Sequence, residues 1–124
     1  MFKWLRKKVA DSPSLVVLDK DTKKTVDLEC PFKAGDAYHG KLKQDRWNDG
    51  QERFSIRLHD LPPGSDPVKI YRGYTLVAEF EREGPKLDIR QKGMADDKIP
   101  EFRIGERLQI EVGGLKCDGI VRPD

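Results

Sequence analysis

Leu108-Gln109-Ile110-Glu111-Val112-Gly113-Gly114-Leu115-Lys116-Cys117 is the stretch on which the fold turns. Apolar residues occupy every second position up to Val112, the period of a strand with one buried face. A two-residue loop at Gly113-Gly114 places 112 opposite 115 and 110 opposite 117, so Val112, Ile110, Leu115 and Cys117 share a face. Gly-Gly also suits a primed turn, whose central positions take positive φ. The segment therefore predicts an antiparallel hairpin.

The same period extends outward through most of the chain. Val26, Leu28, Cys30 and Phe32 alternate with Asp27 and Glu29, and Phe54, Ile56 and Leu58 with Ser55 and Arg57. Val68 and Ile70 lead into Leu76, Ala78 and Phe80; Leu87 and Ile89 flank Asp88 and precede Arg90; Val121 follows the hairpin. Leu15-Val16-Val17-Leu18 is a further short apolar run, followed by the polar turn Asp19 to Lys24. Short alternating runs separated by Gly, Pro, Asn and Asp, with no crossover helix between them, predict an all-β fold. The expectation is a single antiparallel β-sandwich or barrel of about eight or nine short strands over residues 13–124, after a short basic segment at 1–12.

Parity gives a different loop at Tyr71-Arg72-Gly73-Tyr74. A two-residue loop would put Ile70 and Leu76 on opposite faces, whereas a three-residue loop over 72–74 pairs 70 with 76 and 68 with 78. The odd loop gathers Val68, Ile70, Leu76, Ala78 and Phe80 on one face, with Gly73 supplying positive φ. Leu61-Pro62-Pro63-Gly64 precedes this hairpin and Phe102-Arg103-Ile104-Gly105 the other. Phe32-Lys33-Ala34-Gly35 repeats the pattern without a clear hairpin after it. Hairpin-level internal repetition would produce such spacing, and so would ordinary hairpins drawing on the same turn residues.

Composition sets the outer limits. The chain has 124 residues, 37% charged and 36% apolar, with a formal net charge of +2. That length suits one core, and no apolar run approaches the roughly 20 residues of a membrane-spanning helix. Lys3, Arg6, Lys7 and Lys8 put +4 in residues 1–10, leaving −2 over residues 11–124. So near-neutral a body argues against nucleic acid as the partner. Two cysteines make no disulfide framework, and the N-terminus carries neither a signal-peptide apolar core nor a glycine at position 2, so a cytoplasmic protein is expected.

Sites of reaction are hard to find. Cys30, His39, His59 and Cys117 could in number make a Cys₂His₂ zinc site, but they contain no closely spaced ligand pair, and both cysteines fall on apolar faces. Asp19, Asp21 and Lys23 open like a calcium loop, yet its sixth position is Lys24 and its twelfth Cys30. Asp96-Asp97 is read as a solvated turn. No nucleophile elbow or phosphate loop is present; His39 and His59 are the remaining candidates for a base. No catalytic residue, metal or cofactor is assigned.

Two surface features stand out. Tyr71, Arg72 and Tyr74 crowd one hairpin tip, and Trp47 lies beside Arg46 and the Asn48-Asp49-Gly50 turn. Tyrosine, tryptophan and arginine dominate binding hot spots, although the tyrosines could pack across their turn and Trp47 could lid one end of the core. The other feature is the start of the chain. As a helix it would place Phe2, Leu5 and Val9 together, with Trp4 at headgroup depth and Lys3, Arg6, Lys7 and Lys8 toward anionic lipid. It is also short enough to be a frayed terminus or a helix docked on the sheets. The sequence thus favours a non-enzymatic interaction or structural module, binding protein through hairpin tips or a sheet edge. Peripheral membrane attachment through residues 1–10 comes second, and an enzyme third.

Overall fold

The computed structural model describes residues 22–95 and 98–124. The basic segment at 1–12, the Leu15–Leu18 run, Asp19, Asp21 and the Asp96-Asp97 pair lie outside the described residues. Among those described there are nine strands and no helix: β1 (Lys24–Ala34), β2 (Ala37–Trp47), β3 (Gln51–Leu58), β4 (Val68–Arg72), β5 (Thr75–Phe80), β6 (Leu87–Met94), β7 (Arg107–Val112), β8 (Leu115–Ile120) and β9 (Arg122–Pro123). All pair antiparallel in one sheet, ordered β5-β4-β7-β8-β1-β2-β3-β6, with β9 also against β1. The sheet curls into a half-barrel, and its two halves meet at a thin seam where β1 and β8 share the single register pair Lys33↔Asp118.

Alternation explains the curl. The inward positions of most strands are apolar, and they close on a common core that includes Leu28, Phe32, Leu42, Phe54, Ile56, Ile70, Leu108 and Ile110. Cys30 and Cys117 are buried in that core as free thiols, as small apolar residues would be. Removal from water pushes the Cys30 thiol up to about 12 and raises Cys117 in the same direction.

The Gly113-Gly114 hairpin has the expected register, Val112↔Leu115 and Ile110↔Cys117. Only Gly113 takes positive φ, however, which is the sign pattern of a type II′ turn. The Tyr71–Tyr74 hairpin departs from expectation. Arg72 pairs with Thr75 across a two-residue Gly73-Tyr74 loop, and parity is restored by a bulge that leaves Val77 unopposed, so Ile70 faces Ala78 and Val68 faces Phe80. Leu76 is consequently turned off the buried face and is 46% exposed. A hairpin also follows Phe32–Gly35, where none is evident in the sequence: Ala34 pairs with Ala37 across Gly35-Asp36, and β2 returns along β1 with His39 as its bulge. All three two-residue loops carry glycine with positive φ at their first position, about 40 residues apart; of the three glycines that end the recurring short pattern, only Gly35 is one of them, while Gly64 and Gly105 lie in the segments before the other two hairpins.

Two linkers cross the open side of the half-barrel, 59–67 between β3 and β4 and 81–86 between β5 and β6. Arg82 fastens one to the other, donating to the carbonyls of Pro62 (2.6 Å), Asp66 (2.7 Å) and Gly84 (3.0 Å). The backbone N–H of Leu61 donates to Pro85 beside it.

Candidate functional site

The outer face of β2, β3 and β6 is built by the same alternation that fills the core. Register aligns Lys41 with Arg57 and Asp88, Lys43 with Ser55 and Arg90, and Asp45 with Arg53 and Lys92. Their neighbours in sequence, Leu42, Phe54 and Ile56, point inward and are buried. Six cations therefore surround an open groove of about 710 Å³ whose floor is Ser55, the shortest side chain in the three rows. Only one carboxylate, Asp45, lines it.

These cations are not equally engaged. Asp45 is 5% exposed and accepts from Arg53 Nε and Nη2 at 3.2 and 3.0 Å. Lys41 reaches Glu29 at 3.2 Å and Lys43 reaches Asp124 at 2.9 Å, both on the rim toward β1 and β9. The Lys43 ammonium lowers the Asp124 carboxyl and is itself raised in return. Near the β6 edge the balance tips. Arg57 and Arg90 share one carboxylate, Asp88, at 3.7 and 3.2 Å, with both guanidinium groups well exposed. Exposed pairs of this kind hold their partners by little more than ~1 kcal/mol and exchange readily. An incoming carboxylate would give each arginine its own.

Trp47, singled out in the sequence, ends β2 on the rim of this groove, between Lys24 Nζ (5.5 Å from its ring) and Arg53 Cζ (5.7 Å). Tyr71, Arg72 and Tyr74 lie elsewhere, on the β4–β5 hairpin in the other half of the sheet. Tyr74 is fully exposed at the tip. Arg72 stacks over Phe102 at 5.8 Å and contacts the Glu101 carbonyl and the Glu106 carboxylate, so it fastens a loop. The membrane candidates Phe2, Lys3, Trp4, Arg6, Lys7 and Lys8 lie outside the described residues.

The structure brings the two histidines together. His39 is buried, at 8% exposure, and its Nδ1–H donates to the His59 carbonyl at 3.0 Å. The His59 ring lies 6.3 Å from that of His39 and bonds the adjacent Asp60 carboxylate at 3.0 Å. Asp60 takes positive φ to close the strand end. This arrangement orders the end of β3, with each ring's Nδ1 occupied by local chain.

Sequence reasoning missed the groove because its cations are scattered over three segments, Lys41/Lys43, Arg53/Arg57 and Arg90/Lys92. The available signal was parity, since Lys41, Lys43, Arg53, Arg57 and Arg90 each stand one position away from an apolar residue of the core face and must face out. Among the described residues no helix is long and apolar enough to cross a membrane. No known family, characterised protein or solved structure matches this chain.

Proposed function

We propose that this chain is a non-enzymatic, protein-binding module that holds an acidic partner on the outer face of β2, β3 and β6. The observation that carries the reading is the row of exposed cations around Ser55, with Arg57 and Arg90 dividing one carboxylate between them. Electrostatic complementarity of this kind steers encounter and selects acidic partners. Trp47, half-buried, adds a rigid aromatic rim, and Tyr74 at the β4–β5 hairpin is an exposed aromatic contact outside the groove.

Poly-L-glutamate is the probe. Binding to it at low salt should weaken about tenfold or more in Arg57→Glu/Arg90→Glu and fall steeply as salt rises, while Tyr74→Ala leaves it unchanged. Both variants alter exposed side chains, so the thermal midpoint serves as the folding check. Poly-L-glutamate binding that ignores the double charge reversal would overturn the assignment of this face.

A further inference from the structure

We infer that the acidic partner binds as an extended strand added to the free edge of β6, with acidic residues at alternate positions. The inference rests on the face proposed above and specifies how that face is used. Among the described residues β5 and β6 are each paired on one side only. β5 is short and broken by its bulge, which blunts it as a template. By contrast, β6 runs in register with β3 for eight consecutive pairs, Gln51↔Met94 to Leu58↔Leu87, with no irregularity. Arg90 to Met94 are all exposed. A long, regular, solvent-exposed edge presents alternate backbone N–H and C=O groups that an extended peptide can pair.

Side-chain chemistry on the two faces of that edge then specifies the occupant. On the groove face β6 offers Asp88, Arg90 and Lys92, backed in the next strand by Arg57 and Arg53. On the core face it offers Leu87 and Ile89, opposite Leu58 and Ile56, and then Gln91 opposite Phe54. A strand lying against this edge places alternate residues on each face. Carboxylates on one face would meet Arg90, Lys92 and the under-compensated Arg57, while apolar residues on the other would cover Ile89. Gly93 leaves the backbone bare near the end of the edge: a Cβ built there meets nothing within 4 Å. Glycine in a strand often marks close approach by another backbone.

The probe is fluorescent acetyl-(Val-Glu)₄-amide, compared by anisotropy with its block isomer acetyl-Val₄-Glu₄-amide. The alternating peptide should bind about tenfold tighter, and Arg57→Glu/Arg90→Glu should abolish the difference. In a strand all glutamate N–H groups point to one edge and all valine N–H groups to the other. N-methylating one set should therefore abolish binding, and methylating the other should leave it. Equal affinity for the two isomers, or tolerance of both methylated sets, would overturn strand addition while poly-L-glutamate binding keeps the face itself in place. Failure of poly-L-glutamate to bind would remove the face and the strand together. An oligothymidylate binding more tightly than the alternating peptide would assign the face to nucleic acid and overturn the inference.

Discussion

Among the described glycines, Gly40 and Gly119 lie hardest against neighbouring backbone. Gly40 adopts φ +130°, and a Cβ built there would sit 1.9 Å from the Arg57 carbonyl oxygen. Gly119 has no positive φ, yet its Cβ would fall 2.3 Å from the Pro31 carbonyl and 2.7 Å from Cys30 Sγ, where β8 crosses β1. In both places backbone is the obstacle, and backbone cannot swing aside as a flexible side chain does. Alanine ordinarily steadies a strand relative to glycine, by roughly 0.5–1 kcal/mol. Here the sign should reverse: Gly40→Ala and Gly119→Ala should each lower stability by about 2–3 kcal/mol in denaturant titration. A neutral Gly119→Ala would mean that β8 does not approach β1 as closely as the seam requires. Neither constraint is legible in the sequence, because a glycine required by another strand's backbone looks the same as one required by its own turn.

Elements were legible where their buried face is apolar and hidden where it is not. β1, β3, β7 and β8 declare themselves through Leu28, Phe54, Ile110 and Cys117 and the alternation around them. β2 does not, because its core-facing positions include Gly40, Gln44 and Arg46 beside Leu42. Gln44 is fully buried but satisfied: its amide donates to Glu52 and to the Pro100 carbonyl, and its carbonyl accepts from Phe102 N–H. Arg46 completes this end, reaching Glu52 at 2.7 Å and the Ile99 carbonyl at 2.8 Å. Polar groups so paired can replace an apolar stripe, and no periodicity reports them. β9 is hidden by its length and is held by charge. Arg122 gives Nε and Nη2 to Glu29 Oε2 at 2.8 and 2.7 Å, and Lys41 takes the other oxygen. Arg122 first, then Lys41, holds the Glu29 carboxyl below its usual value, against the opposing pull of burial. A depressed carboxylate contributes stability that is fully present above its unfolded value near 4.5 and is lost as pH falls through the folded one. Stability should therefore decline as pH drops below about 5, and Glu29→Gln should be less stable at pH 7 while losing less of its stability on acidification. Parallel acid profiles for the two proteins would show that Glu29 does not couple β9 to β1.

At the scale of the molecule the question is what keeps a sheet with two free edges curled. Backbone pairing holds each half, β1-β2-β3-β6 and β4-β5-β7-β8, but the seam between them is thin on one side and open on the other. Burial of the shared core supplies most of the closure, since Phe54 from one half stacks on Phe80 from the other. Arg82 adds direction to it. Its guanidinium bonds three carbonyls from two linkers, and a planar fork can satisfy them together in a way a single ammonium cannot. Removing it should loosen the open side rather than unfold either half. Arg82→Ala and Arg82→Lys are both expected to cost about 1–3 kcal/mol. Amide exchange should locate the loss, rising in β5 and β6 ahead of the β1–β2 ladder, because local opening follows the elements with least buried support. A uniform rise across all strands would mean that the two halves open as one unit and that Arg82 acts on global stability alone. Rescue by lysine would show that its charge, and not the three-way geometry, closes the curl.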